Sequence, residues 1–125
     1  MSILIKAIER ANPQNREEKK FYASVATRGT IDLDGLATLV SKFSSLSKGD
    51  VHSVLLNLLE AIPNELLDGK VVKLGKLGSM SLNVDSEGVA TAEEVTGDLV
   101  KAVHIVFRPG EELKGELEKF TIRTS

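Results

Sequence analysis

Apolar residues recur along this chain with two different periods, and the change of period divides it into elements. Ile3, Leu4, Ile5 and Ile8 mark a β-rich run over residues 3–9, and Phe21-Tyr22-Ala23-Ser24-Val25-Ala26 suits a return strand. Between them Asn12-Pro13-Gln14-Asn15 carries turn chemistry, because proline fixes φ and asparagine tolerates tight bends. Residues 3–27 therefore read as a hairpin with a long polar loop, in which Arg16-Glu17-Glu18-Lys19-Lys20 is a solvated tip. Leu33, Leu36, Ala37, Val40 and Phe43 then recur at helical spacing, behind Thr30 or Asp32 as cap. Ser44-Ser45 breaks that pattern, and Ser47-Lys48-Gly49-Asp50 has capping-box spacing for a second helix. The apolar set of that helix (Val51, Val54, Leu55, Leu58, Leu59 and Ile62 among them) wraps around more than one face. In a chain of 125 residues, burial on several sides is expected to come from a second copy. Pro63 lacks the amide for an interior helical bond, which predicts a kink or a restart, and Gly69 suits a left-handed cap.

The second half switches to strands. Residues 71–74 and 80–84 read as a pair, Asp85-Ser86-Glu87-Gly88 as a turn, 89–92 as a short strand and 93–100 as a loop or helical turn. Residues 102–107 alternate and are β-branched, hence a strand. Residues 111–120 read as a helix with Glu111 and Glu112 in its first turn, where the helix dipole favours acids. The predicted order is β-β-α-α-β-β-(β)-β-α, an α+β class, without internal repeats.

Composition narrows the chemistry. Hydrophobic content of 42% and charged content of 27% fit a soluble globular domain, and 4% aromatics make its core aliphatic. The absence of cysteine excludes disulfides and thiol chemistry and fits an intracellular, cytoplasmic protein. No apolar run approaches the roughly 18 residues needed to cross a bilayer. The first residues are charged too early for a signal peptide. His52 and His104 are the only histidines, so no metal site is expected. Glu93-Glu94 has no nucleophile or base beside it, and Gly69-Lys70 and Gly75-Lys76 lack P-loop spacing. Neither an enzyme, nor a cofactor, nor a small-molecule substrate is signalled.

Net charge is −2, but it is unevenly spread. Residues 1–28 hold six bases and three acids, residues 70–82 hold Lys70, Lys73 and Lys76 without an acid, and residues 83–100 hold five acids without a base. The three lysines suit either phosphate contacts or a solvated strand face. Gly75 and Gly78 more often serve a bend than the close approach of a phosphate.

Leu74-Gly75-Lys76-Leu77-Gly78-Ser79-Met80 resembles the glycine-rich bend between the first two strands of HU/IHF-type DNA-bending proteins. Phe107-Arg108-Pro109-Gly110 resembles that family's Phe-basic-Pro-Gly lead-in to its last helix. The order of two helices, a β-meander and a C-terminal helix is similar too, over roughly residues 30–120. The chain looks like a divergent HU-related branch: residues 1–28 are an added N-terminal β-hairpin and 29–125 the HU-like domain. The resemblance implies a dimer that sets a β-saddle on DNA and reaches into the minor groove with two arms. Family arms carry arginines and a proline wedge. The corresponding stretch here, 84–100, has no Arg, Lys or Pro and holds the five acids, which would repel phosphate. Arm residues therefore do not carry over.

The saddle is what remains for DNA. Lys73 and Lys76 sit on or beside the bend, Lys70 precedes it, and Lys101 and Arg108 flank the third core strand. Arg108 matches the family's basic position before Pro-Gly. Amides after Pro109 open a helix and suit a phosphate, with Glu111 and Glu112 partly cancelling that end. Two functions follow. One is a nucleoid-associated, architectural homodimer binding duplex DNA with little sequence preference. The other is a dimeric protein-interaction module on the same fold that has lost DNA binding. Convergence of Lys73, Lys76, Lys101 and Arg108 on one face would favour the first.

Overall fold

The structure is a computed structural model, and it describes residues 2–124. Strands β1 (Ser2–Asn12) and β2 (Asn15–Val25) form an antiparallel ribbon with Ile5 opposite Val25, Ile8 opposite Tyr22 and Arg10 opposite Lys20. Its turn is short, holding Pro13 and Gln14, and the Asn12 side-chain oxygen accepts the Gln14 amide at 3.0 Å. The expected long polar loop is thus mostly strand. Both faces of the ribbon's outer half meet solvent, so no apolar alternation marks it, although the backbone ladder continues.

A strand not anticipated from the sequence, β6 (Thr121–Thr124), lies parallel to β1 with Ser2 opposite Thr121 and Ile5 opposite Thr124. The sheet order is β2-β1-β6. The last helix, α3 (Glu111–Leu117), is correspondingly shorter than the expected 111–120.

Helix α1 (Leu33–Lys42) begins at Asp32, whose Oδ1 accepts the Gly35 amide at 2.9 Å. Helix α2 (Lys48–Leu67) begins at Ser47, whose hydroxyl accepts the Asp50 amide at 3.2 Å. It runs through Pro63 without the restart expected there. Proline removes one interior bond, and the turns on either side keep theirs. Gly69, at φ 83°, closes the helix in the left-handed region as expected. The two helices pack on each other, and α2 also lies against β3 (Val72–Lys73) and β4 (Gly78–Ser86).

The second sheet has the order β3-β4-β5, all antiparallel, with β5 spanning Val100–Pro109. The connection from β4 to β5 holds two 3-10 turns, Ala92–Glu94 and Gly97–Leu99, and the Glu87 amide donates to the Leu99 carbonyl at 3.1 Å. The short strand expected over 89–92 is absent, because no strand lies beside that stretch to pair with it.

Alternation gives this sheet two unlike faces. Val72, Met80, Leu82, Val84, Val103, Ile105 and Phe107 share one face by register. Lys73, Ser79, Ser81, Asn83, Asp85, His104 and Arg108 share the other. The apolar face is largely uncovered within one chain: Val103, Ile105 and Phe107 are 58%, 63% and 45% exposed. Among the described residues the buried apolar side chains are Ala37, Val51 and Leu66.

Candidate nucleic-acid interface

The polar face of the second sheet is built around one rung. Lys73 on β3 stands opposite Ser79 on β4, and Ser79 stands opposite Arg108 on β5. Cross-strand partners project to the same side, so Lys73 and Arg108 flank Ser79 on one surface. A shallow cleft of about 320 Å³ opens there between Lys73, Gly78, Ser79, Arg108 and Gly110, with Glu111 on its margin.

Two glycines set this geometry. Gly78 has φ 137°, and a Cβ on it would run into the carbonyl oxygen of Arg108. A Cβ on Gly110 would run into the carbonyl oxygen of Lys76. The chain therefore crosses itself at backbone distance, fixed by the Gly110 amide donating to Leu77 at 3.0 Å and the Leu74 amide to Gly78 at 2.7 Å. This crossing holds the end of β5 against the start of β4, with Arg108 opposite Ser79 and across β4 from Lys73.

The five bases singled out in the sequence do not all behave alike. Lys73 and Arg108 make no ion pair among the described residues. Lys70 lies outside the strands and is held by Glu65 at 2.8 Å and Asp68 at 3.3 Å. Its hydrogen bond to Glu65, then that to Asp68, raises its pKa above 10.5. Lys76 sits in the 3-10 turn Gly75–Leu77 and reaches Glu112 on α3 at 3.8 Å. Lys101 pairs with Glu87 at 3.5 Å. It occupies a bulge, where Ser86 faces Val100 and Asp85 faces Ala102, about 23 Å along β5 from Arg108 at strand rise. The structure thus joins Lys73 with Arg108 and leaves Lys70 and Lys101 elsewhere, each beside a carboxylate.

Sequence reasoning missed the neutral part of the face. Ser79, Ser81 and Asn83 alternate with Met80, Leu82 and Val84, and that period-two pattern was a sufficient signal for a polar surface. At the far end of the same face His104 Nε2 lies 2.5 Å from Asp85 Oδ2. The arrangement offers two cations, hydroxyl and amide hydrogen-bonding groups, and amides at the start of α3, contacts of the kind a phosphate backbone takes. Among the described residues no cluster suits a metal ion.

Comparison with known proteins agrees with this architecture. Residues 1–124 match the HU-HIG family, described as an HU domain fused to a wHTH, Ig or glycine-rich motif. The integration host factor subunit alpha of Haemophilus influenzae is 34% identical over 90 residues, covering 70% of this chain and 92% of that protein. A second strain's subunit matches equally. A crystal structure from Bacteroides vulgatus, provisionally described as a bacterial DNA-binding protein, superposes with a TM-score of 0.61 at 16% identity. That match covers 97% of this chain, which spans 47% of the larger protein.

Proposed function

Because this chain belongs to the HU-HIG family, we propose that it is an architectural protein that binds duplex DNA through the polar face of its second sheet. The observation that carries this is the Lys73–Ser79–Arg108 rung, in which two bases that make no ion pair among the described residues stand together on a face that also holds Ser81, Asn83, Val106 and the Asp85–His104 pair. The 34% identical integration host factor subunit supports the same role. Contacts of this kind go to phosphates, which position a protein without reading sequence, so sequence preference is weak. Bending is modest, since the β4–β5 connection is a closed acidic loop and supplies no basic arm.

The working form is a homodimer. One chain exposes 10332 Å², whereas a compact monomer of 13.5 kDa exposes about 6,500 Å². The excess, about 3,800 Å² on each chain, is more than an obligate dimer contact of about 2,000–5,000 Å² in total would cover, so such a contact accounts for part of it. The uncovered apolar residues Val54, Leu58 and Leu59 of α2 and Val103, Ile105 and Phe107 of β5 are the surfaces for that contact. The place of action is the cytoplasm, on the nucleoid. Among the described residues no helix is long and apolar enough to cross a membrane.

A second reading, a dimeric protein-interaction module without DNA binding, is favoured by the carboxylates that already occupy Lys70, Lys76 and Lys101. Titration of a labelled random duplex of about 30 base pairs, followed by anisotropy at low and moderate salt, separates the two. Saturable binding that weakens with salt and is abolished in Lys73→Glu/Arg108→Glu supports the saddle. A dimer by light scattering that ignores DNA at low salt leaves the interaction module.

A further inference from the structure

We propose that the β1–β2 ribbon is a second duplex-DNA contact surface, in which Lys6, Arg10 and Lys20 meet phosphates beside the ring of Tyr22. The inference rests on the reading that the chain binds DNA, and adds a surface the sheet reading does not use. Its first support is charge. Residues 1–28 hold six bases and three acids in a chain whose net charge is −2, so the ribbon is basic while the remainder is acidic. Long-range attraction of a polyanion therefore falls on this element.

The second support is register. Lys6 stands opposite Ser24, Ile8 opposite Tyr22, and Arg10 opposite Lys20, which puts Lys6, Arg10, Lys20 and Tyr22 on one face. Ile8 shares that face, while Ile5, Ala7, Phe21, Ala23 and Val25 take the other one together with Glu9 and Lys19. Arg10 makes no ion pair among the described residues, and its guanidinium lies 6.0 Å from the Tyr22 ring centroid. A planar cation beside an aromatic ring, without a carboxylate to neutralise it, presents donors suited to a phosphate. The carboxylates nearby are Glu9, which reaches Lys19 at 3.8 Å, Glu18, which reaches Lys20 at 3.6 Å, and Glu17.

The third support is shape. A cleft of about 460 Å³ lies between Arg10, Lys20 and Tyr22, bounded towards the turn by Asn12 and Pro13 and with Glu18 on its rim. Strands of 11 residues extend roughly 36 Å, close to one helical turn of duplex. The ribbon thus adds phosphate contacts beyond those the rung can reach.

The test compares the full chain with Arg10→Glu/Lys20→Glu, Lys73→Glu/Arg108→Glu and a net-charge control, Lys42→Glu/Lys119→Glu. Anisotropy on a random 30-base-pair duplex is read across a salt series, with circular dichroism and melting to show that each variant is folded. The ribbon variant is expected to bind several-fold more weakly than the control and to flatten the salt slope by at least about one, from Arg10, with Lys20, which lies 3.6 Å from Glu18, adding less. Affinity and slope equal to those of the control would overturn the proposal while leaving the saddle intact. A weakened ribbon variant beside an unchanged rung variant would uphold the ribbon and remove the saddle. Failure of the unmodified chain to bind removes both. Should the ribbon variant fail to fold, Arg10→Gln/Lys20→Gln is read in its place, against the same criterion.

Discussion

Lys73 and Arg108 face the same residue, Ser79, from opposite sides of β4, although 34 positions separate them along the chain. At the usual strand spacing their backbones are about 10 Å apart. That is close to a Debye length at physiological salt, so their mutual repulsion is largely screened. A polyanion laid across the sheet meets both charges at once.

The contrast between Lys70 and Lys73 gives a first prediction. Lys70 is already held by Glu65 and Asp68, so Lys70→Ala should change DNA affinity by less than about twofold, while Lys73→Ala should lower it about fivefold. Equal reductions in a salt-controlled titration would show that the carboxylates do not occupy Lys70. The raised pKa of Lys70 also has a direction in stability. Its contribution is complete below 10.5 and is lost as the pH climbs through the higher folded value, so alkaline melting curves of the variant and the parent should converge.

Asp85 is the carboxylate on the polar face itself, beside His104. Asp85→Asn keeps the shape and removes a charge that repels phosphate. Affinity for duplex should rise about threefold, by less than 1 kcal/mol in a solvated setting. Unchanged affinity would place bound DNA away from this end of the sheet.

Ile105 is 63% exposed on the apolar face of β5 in the single chain. If a second copy covers it, Ile105→Asp should shift sedimentation from dimer to monomer at micromolar concentration, since it would bury a charge without a partner. A dimer of undiminished stability would assign the contact to another surface.

Gly78 leaves no space for a side chain against the Arg108 carbonyl. Gly78→Ala should lower stability by at least about 2 kcal/mol, combining backbone strain with overpacking. Denaturant unfolding reads this directly. A neutral result would mean that the crossing of the chain at Gly78 and Gly110 yields without cost.

Elements that carry an apolar face were legible in the sequence. The helices announced themselves through Leu33, Leu36, Ala37 and Val40, and through the caps at Asp32 and Ser47. Strands β4 and β5 did so through Met80 and Leu82, and through Val103 and Ile105. What stayed hidden depended on remote partners. Residues 10–20 are polar on both sides, so only the pairing of Arg10 with Lys20 makes them strand. Thr121-Ile122-Arg123-Thr124 is too short to declare itself without β1 beside it. The site was hidden in the same way. Five bases were visible, but which of them share a rung depends on strand register, and which are neutralised depends on Glu65, Glu87 and Glu112 arriving from elsewhere.

The parallel pairing of β1 with β6 ties the first described residues to the last. During synthesis, therefore, β1 is made well before β6, and one edge of the ribbon stays open until β6 has also been made. Closing that edge is a long-range step, of the kind that slows folding and leaves an unpaired strand available to neighbouring chains in the meantime. The ribbon's charged outer half, with its lysines along the strands, is also what discourages such premature pairing.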